Sequence, residues 1–309
     1  MSEVLDILYD ADLSRFTTLK TGGKGELVFV PKNLEEFSAV LKQTPVNIPV
    51  TILGLGSNAL IPDVGIKGLV IILQGSGLNK LEQHADNLVN ITADAGVACG
   101  QFARFAARLG LTSMEFMAGI PGTIGGALAM NAGCYNGETW DLVSSVTTIT
   151  RHGEIKTRDK AEYEIAYRTA ELKNKSQKIG SQEISSKEYF ISVEFNLKPG
   201  DKKTSLSNIK KLLAQRNQSQ PTNFPNCGSV FRNPKGDFSA RLIEACGLKG
   251  VKAGHAQISE KHANFIVNLG GATTNNIVEL IDLMHSKVKD KFNVSLEREV
   301  RYLGNINSE

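Results

Sequence analysis

Residues 118–133 decide the fold prediction, and they read Ala-Gly-Ile-Pro-Gly-Thr-Ile-Gly-Gly-Ala-Leu-Ala-Met-Asn-Ala-Gly. Five of these residues are glycine and none is charged. Glycine tolerates a positive φ angle and lets a backbone approach a ligand closely. A glycine-rich, apolar and uncharged stretch therefore suits a bulky anionic ligand that is held by backbone N–H groups. A tightly packed buried turn is the alternative that the composition leaves open.

The overall composition is that of a globular protein. Hydrophobic residues make up 41% of the 309 residues and charged residues 22%. The 35 basic and 32 acidic residues are too balanced to indicate nucleic-acid binding. The acidic N-terminal stretch lacks the apolar core of a signal peptide, and the longest apolar run is too short to span a bilayer. We expect a cytoplasmic protein without a nucleic-acid, membrane or obligatory protein partner.

The cysteines and histidines show no ligand-like spacing. Neither a CxxC nor an HExxH motif occurs among the four cysteines and five histidines. We therefore expect neither a disulfide framework nor a metal site. The cysteines are Cys99, Cys134, Cys227 and Cys246.

Hydrophobic periodicity predicts an α+β fold in three consecutive segments, 1–73, 74–199 and 200–309. A helix should follow Asn33, which precedes Glu36 in a capping-box arrangement. The polar segment 173–187 reads as a surface loop, and Pro199-Gly200 as a domain boundary. Further helices are predicted at 98–109, around 209–213, at 240–245 and at 277–292. Strands are predicted at 26–30, 50–53, 68–73, 143–149, 155–157, 191–197, 230–231, 263–267 and 300–303.

A second glycine pair lies in Gly54-Leu55-Gly56-Ser57-Asn58, directly after a predicted strand. The spacing formally fits the Rossmann fingerprint, but Pro62 would fall inside the helix that the fingerprint requires. The next strand also lacks the acidic residue that binds a ribose. The glycines permit unusual backbone angles, while the serine and asparagine offer donors. We prefer a phosphate site here over an unliganded turn. The chain has no Walker A motif, which disfavours a kinase or ATPase.

Three polar residues are weak signals when taken singly. Ser229 lies in a turn framed by prolines, but it is not the nucleophile elbow of a hydrolase, because Cys227 occupies the first glycine position of that motif. Arg168 and Glu299 adjoin apolar positions in predicted strands. An ordinary turn serine and two solvated surface charges remain the simpler interpretation at this point.

Taken together, the motifs resemble those of the UDP-N-acetylenolpyruvoylglucosamine reductase family over nearly the whole chain. Their order and joint presence are more specific than any one of them. The form Cys-Gly-Ser-Val-Phe and the short chain resemble the second subtype of the family. The matching pieces are Gly-Leu-Gly-Ser-Asn at 54–58, Glu-Phe-Met-Ala-Gly-Ile-Pro-Gly-Thr-Ile-Gly-Gly-Ala at 115–127, Met-Asn-Ala-Gly at 130–133, Cys-Gly-Ser-Val-Phe-Arg-Asn-Pro at 227–234 and Ser-Glu-Lys-His-Ala-Asn-Phe at 259–265.

The resemblance implies an FAD-binding domain of the PCMH/vanillyl-alcohol-oxidase type, made of two α/β subdomains at 1–73 and 74–199. A C-terminal α+β substrate-binding domain would follow at 200–309. It also implies non-covalent FAD, NADPH as co-substrate, a UDP-sugar substrate and no metal. The cofactor positions carried over are Gly54, Gly56, Ser57, Asn58, Gly119, Ile120, Pro121, Gly122, Thr123, Gly125, Gly126, Ala132 and Gly133. The substrate positions carried over are Tyr167, Arg232, Asn233, His262 and Arg301.

The resemblance further implies that Arg168, Ser229 and Glu299 catalyse reduction of the enolpyruvyl group by NADPH through the flavin. Arg168 would be a fixed cation for the charge that develops, and Glu299 would polarise the substrate carboxylate. Ser229 would protonate the resulting carbanion. Arg298, Ala170 and Leu55 depart from the residues usual in the family. Another FAD oxidoreductase of the same superfamily, or a non-catalytic flavin or nucleotide-sugar binding protein, stays open as an alternative.

Overall fold

The structure, a computed structural model, describes residues 5–86, 89–173, 176–179, 182–185 and 187–304. The helices are α1 Leu34–Gln43, α2 Cys99–Arg108, α3 Ile124–Ala129, α4 Lys202–Ser219, α5 Ser239–Ala245 and α6 Thr274–Phe292. The strands are β1 Leu8–Asp12, β2 Lys24–Phe29, β3 Val50–Leu53, β4 Ala59–Leu60, β5 Ile66–Ile72, β6 Leu81–Gln83, β7 Asn90–Asp94, β8 Leu111–Thr112, β9 Gly133–Cys134, β10 Gly137–Glu138, β11 Val143–Thr150, β12 Ile155–Asp159, β13 Tyr163–Ala166, β14 Thr169–Leu172, β15 Ser176–Ile179, β16 Gln182–Ser185, β17 Glu188–Asn196, β18 Lys198–Pro199, β19 Lys252–Ala253, β20 Ala256–Ile258, β21 Ile266–Asn268 and β22 Arg301–Tyr302.

The chain divides into two compact units, each discontinuous in sequence. The first unit is built mainly from Phe29–Leu55 and Ile71–Ala214. The second unit is built from Leu8–Val28, Gly56–Val70 and Gln215–Glu309. The functional division at 1–73, 74–199 and 200–309 stays a prediction.

An antiparallel five-stranded sheet with the order β12-β11-β17-β7-β6 forms the centre of the first unit. Every second residue of β17 is buried, as its alternating sequence predicted. Helix α2 contributes to the same core, where the Phe102 and Phe195 ring centroids lie 4.7 Å apart. Helix α1 begins as predicted, since Asn33 Oδ1 accepts a hydrogen bond from the Glu36 N–H at 2.8 Å.

The second unit contains the strand order β1-β2-β5 and the antiparallel sheet β19-β20-β21. The predicted apolar stripe of α6 is buried in its core, together with residues of α5. The buried residues of that stripe are Ile277, Leu280, Ile281, Met284 and Val288.

Two local predictions are wrong, and one short helix was not predicted. The 173–187 segment is not wholly a loop, because β15 and β16 form an antiparallel hairpin whose main-chain pairing requires no apolar pattern. The glycine stretch contains helix α3, which the helical spacing of Ile124, Ala127 and Leu128 could have indicated. Residues 230–231 form no regular strand, and only Phe231 makes an isolated bridge, to Arg298. Within the described residues, no helix combines the length and apolar character that crossing a bilayer requires.

Candidate active site

Within the first unit, Gly54 of the second glycine motif lies against Thr123 of the 118–133 stretch. A Cβ atom on Gly54 would be 2.4 Å from Oγ1 of Thr123. Thr123 is buried and caps α3, with its side chain accepting a hydrogen bond from the Gly126 N–H at 3.4 Å. Gly54, which directly follows β3, therefore packs against the Thr123 side chain at the start of α3. The loop after β3 leads into β4 rather than a helix, as expected from Pro62.

The glycines of 118–133 serve close approach rather than unusual backbone angles. None of the five has a left-handed φ in this fully described stretch. A Cβ on Gly125 would lie 2.8 Å from the Ala95 Cβ, and one on Gly119 would lie 3.0 Å from the Tyr135 ring. Gly126 is exposed, and its nearest neighbour would be Thr123 Oγ1 at 3.6 Å. Gly56 does have a positive φ of 64°, as predicted, whereas Gly54 does not.

Four of the main-chain N–H groups at predicted cofactor positions donate hydrogen bonds to carbonyls within the protein. Gly125 donates to the Ala95 carbonyl at 2.9 Å, and Gly122 donates to the Ile120 carbonyl at 3.0 Å. Ile120 and Ala132 likewise donate to carbonyls of the first unit. These bonds fix the conformation of the stretch, while the N–H of the exposed Gly126 makes a longer bond of 3.4 Å to Thr123 Oγ1. Which N–H groups of the stretch contact a cofactor stays a prediction.

Arg168 occupies a strained turn, not a strand as its neighbours suggested. Strands β13 and β14 are joined by Tyr167 and Arg168, and Arg168 has a φ of 58°. Glycine and asparagine are the residues that favour this left-handed region, so an arginine there is uncommon, although Lys20 has a similar φ of 59°. Its Nη2 donates to the Gly133 carbonyl at 2.9 Å, and its guanidinium lies 4.8 Å from the Tyr167 ring centroid. The predicted catalytic cation thus contacts the end of the glycine stretch.

Ser229 lies in a turn of the second unit that side-chain amides hold. Asn226 Oδ1 accepts a hydrogen bond from the Gly228 N–H at 3.0 Å, and Gly228 has a φ of 77°. Beyond Ser229, the Asn264 side chain bonds both the N–H and the carbonyl of Phe231, at 3.0 and 2.8 Å. The half-buried serine is therefore fixed on both sides. Burial raises the pKa of the neighbouring Cys227 thiol to about 12, so that thiol stays protonated.

Glu299 lies on the extended segment beside this turn, and not within a regular strand. Its N–H donates to the Val230 carbonyl at 2.8 Å, and its carbonyl accepts from Asn58 Nδ2 at 3.0 Å. The Asn58 carbonyl in turn accepts from the Arg301 N–H at 3.0 Å. Two predicted catalytic positions of the second unit, 229 and 299, therefore lie on directly hydrogen-bonded segments. The exposed Arg298 guanidinium lies 5.0 Å from the Tyr302 ring centroid.

The predicted substrate residues have varied surroundings. Tyr167 and Arg301 are exposed, on the Arg168 turn and on β22. Arg232 pairs with Glu297 at 2.9 Å. Asn233 Oδ1 accepts from the Ser239 N–H at 3.1 Å, which places it at the start of α5. The His262 ring lies 4.8 Å from the Phe265 ring centroid, and burial lowers the pKa of His262. Their roles toward a substrate stay predictions.

The sequence interpretation did not assign two buried amides, Asn131 near the Arg168 turn of the first unit and Asn264 near the Ser229 turn of the second. Both occur in quoted motifs. An asparagine flanked by apolar residues, as in Ala263-Asn264-Phe265, is the signal that could have found the second. Within the described residues, no group of three or more His, Cys, Asp or Glu side chains lies together as a metal ligand set would.

Comparison with known proteins identifies both parts of the chain. A family model described as an FAD binding domain matches residues 25–158. A second, described as the UDP-N-acetylenolpyruvoylglucosamine reductase C-terminal domain, matches residues 220–303. These matches confirm the predicted class, an α+β chain with an FAD-binding domain followed by a distinct C-terminal domain.

Individual relatives and a solved structure are similar to this chain over nearly its whole length. The UDP-N-acetylenolpyruvoylglucosamine reductase of Legionella pneumophila (strain Corby) is 49% identical over 97% of this chain and 93% of its own length. That of Nitrosospira multiformis is 46% identical over 97% of this chain and 89% of its own length. The crystal structure of UDP-N-acetylenolpyruvylglucosamine reductase (MurB) from Thermus caldophilus matches with a TM-score of 0.77 at 29% identity, covering 97% of this chain and 99% of that one. The chain belongs to the UDP-N-acetylenolpyruvoylglucosamine reductase family.

Proposed function

We propose that this protein reduces UDP-N-acetylenolpyruvoylglucosamine to UDP-N-acetylmuramate in peptidoglycan precursor synthesis, with FAD as cofactor and NADPH as co-substrate. The observation that carries the proposal is the position of Arg168, whose guanidinium donates a hydrogen bond to the Gly133 carbonyl of the glycine stretch. The four free thiols favour a reducing compartment, and we place the enzyme in the cytoplasm.

The open Gly126 position fits a bulky cofactor in contact with main chain. Side chains are excluded at Gly54 by Thr123, and the Gly126 position is open. Gly54 to Asn58 and Gly119 to Gly126 are the segments that would hold the FAD diphosphate. The flavin supplies a two-electron carrier between NADPH and the enolpyruvyl double bond.

Three side chains would act on the substrate. Arg168 offers a permanent positive charge to the carboxylate and to the negative charge that builds up beside it during reduction. Glu299 would polarise that carboxylate. Ser229 would donate its hydroxyl proton to the carbon adjacent to the carboxylate, since a weak acid suffices for a strongly basic carbanion. Tyr167, Arg232, Asn233, His262 and Arg301 are proposed to bind the rest of the nucleotide sugar.

The test measures flavin reduction by NADPH and flavin reoxidation by the enolpyruvyl substrate separately, by stopped flow, in the Ser229→Ala variant. The variant should bind FAD and be bleached by NADPH at nearly the wild-type rate, because that step needs no proton from Ser229. Its reoxidation by the enolpyruvyl substrate should slow by about 10²–10⁴-fold, the usual loss on removing a general acid. Ser229→Cys, which keeps a proton donor, should recover part of the rate.

Ser286→Ala is the control, because Ser286 is an exposed serine of α6 in the same unit. It should behave as wild type in both half-reactions. Equal slowing of both steps by Ser229→Ala would assign the serine to binding or structure. A wild-type protein that NADPH bleaches but the enolpyruvyl substrate does not reoxidise would instead be a different FAD oxidoreductase.

A further inference from the structure

We infer that Asn131 is a positioning residue for Arg168, an inference that rests on the proposed function. Asn131 lies in the glycine stretch, is fully buried and has a left-handed φ of 38°. Asparagine is among the few residues other than glycine that adopt this conformation readily. Buried polar side chains require hydrogen-bond partners, and those of Asn131 lead to the Arg168 turn.

The Asn131 side-chain amide makes three hydrogen bonds. Nδ2 donates to Glu138 Oε2 at 2.8 Å and to the Ala166 carbonyl at 3.2 Å. Oδ1 accepts from the Trp140 N–H at 3.2 Å. Two donors and an acceptor on one short, left-handed residue are what an asparagine supplies and an aspartate does not.

Ala166 is the last residue of β13, directly before the Tyr167-Arg168 turn. It pairs with Thr169 across the base of the two-residue turn. Asn131 therefore fixes the main chain at the base of the turn, while Gly133, two residues further on, accepts from the Arg168 guanidinium at 2.9 Å. Residues 131–133 thus hold both the base of the turn and the charged group. A fixed cation stabilises developing charge better than one that must be ordered during the reaction.

Asn131→Asp is the informative substitution. It keeps the shape, the tolerance of a left-handed φ and the acceptor for Trp140, but it removes the donors to Ala166 and Glu138. Because the new carboxylate also faces Glu138, the double variant Asn131→Asp/Glu138→Gln is made in parallel. The double variant allows a hydrogen bond between positions 131 and 138 again, yet leaves the Ala166 carbonyl without its donor.

The matched control is Asn90→Asp. Asn90 Nδ2 donates to Glu194 Oε1 at 2.7 Å, which is the same kind of amide-to-carboxylate bond, on strands β7 and β17. The readouts are flavin bleaching by NADPH, flavin reoxidation by the enolpyruvyl substrate, and calorimetric affinity for two nucleotide sugars. UDP-N-acetylmuramate carries the carboxylate that Arg168 is proposed to contact, and UDP-N-acetylglucosamine lacks it.

We expect the double variant to bind FAD and to be bleached by NADPH as wild type, while reoxidation slows by about 10- to 100-fold, the range expected from a misplaced catalytic group. Affinity for UDP-N-acetylmuramate should fall and affinity for UDP-N-acetylglucosamine should not. In an Arg168→Ala background the same substitutions should have little further effect on reoxidation, because two residues that act as a unit are not additive.

Other outcomes overturn the inference. Equal losses for the two nucleotide sugars, equal slowing of both half-reactions, or additivity with Arg168→Ala would leave Asn131 without a specific link to Arg168. Failure of both the single and the double variant to fold, while Asn90→Asp folds, would assign Asn131 to stability alone. Failure of the proposed function is distinct, because the wild-type protein itself would then not be reoxidised by the enolpyruvyl substrate.

Discussion

Gly54 and Thr123 pack so closely that any Cβ placed at position 54 would lie 2.4 Å from Thr123 Oγ1. Position 54 therefore accommodates only glycine without a shift of its surroundings. Thr123 is buried, and its branched side chain has little rotamer freedom to move away. Gly54→Ala should therefore lower the free energy of unfolding by about 1–3 kcal/mol, as overpacking does, and lower the bound flavin content. Thr123→Ala in the same chain should restore part of the stability. A Gly54→Ala variant with the wild-type melting temperature would show that the two loops do not approach as described.

Gly125 and Gly126 should respond differently to alanine. A Cβ on Gly125 would collide with Ala95, so Gly125→Ala should lower the melting temperature of the apoprotein. A Cβ on Gly126 would meet no atom closer than Thr123 Oγ1 at 3.6 Å. Gly126 lies in the first turn of α3, where alanine is a better helix former than glycine. Gly126→Ala should leave the apoprotein as stable as wild type or more stable, while flavin affinity falls. Thermal melts with and without FAD measure both effects, and full flavin loading of folded Gly126→Ala would remove this position from the cofactor site.

The thiol beside Ser229 should be inert. Burial raises the pKa values of Cys227 and Cys99 to about 12, and only the thiolate form is a strong nucleophile. Iodoacetamide at pH 8 should modify the partly exposed Cys246 well before either buried thiol, which peptide mass spectrometry would resolve. Rapid modification of Cys227 in the folded protein would contradict the buried turn.

Glu188 should make the first unit sensitive to acid. Burial alone would raise the pKa of Glu188, but hydrogen bonds from Arg158 and Thr148, both at 2.6 Å, outweigh it and hold the pKa below its usual value. Because the pKa in the folded state is depressed, the stabilisation is present above the unfolded pKa of about 4.3 and is lost as the pH falls through the folded value.

Glu188→Gln should lower the free energy of unfolding by about 1.5–3 kcal/mol at pH 7, the range for a hydrogen bond to a charged group. The difference from wild type should shrink below about pH 4, as measured by urea unfolding at several pH values. Glu82→Gln, which removes an exposed partner of Lys80, is the control and should change little. A Glu188 effect that is independent of pH would mean that shape, rather than charge, accounts for the loss.

Local sequence patterns predicted the regular elements well. The cap at Asn33, the alternation along β17 and the apolar stripe of α6 each involve residues close in sequence, so their spacing alone specifies the element. The β15–β16 hairpin was missed because its pairing is carried by main chain and leaves no apolar signature.

By itself the sequence determined the elements, the glycine positions and the family resemblance, since these depend on residue type and spacing along the chain. Only the tertiary structure decided how each residue is used. It showed that Gly125 packs on Ala95 whereas Gly126 is exposed, and that Arg168 lies in a left-handed turn. It also showed that Asn131 bonds to the base of that turn, 35 residues away along the chain. Such contacts depend on which distant backbone atoms come within hydrogen-bond distance, and this is fixed by the packing of the whole unit rather than by any local pattern.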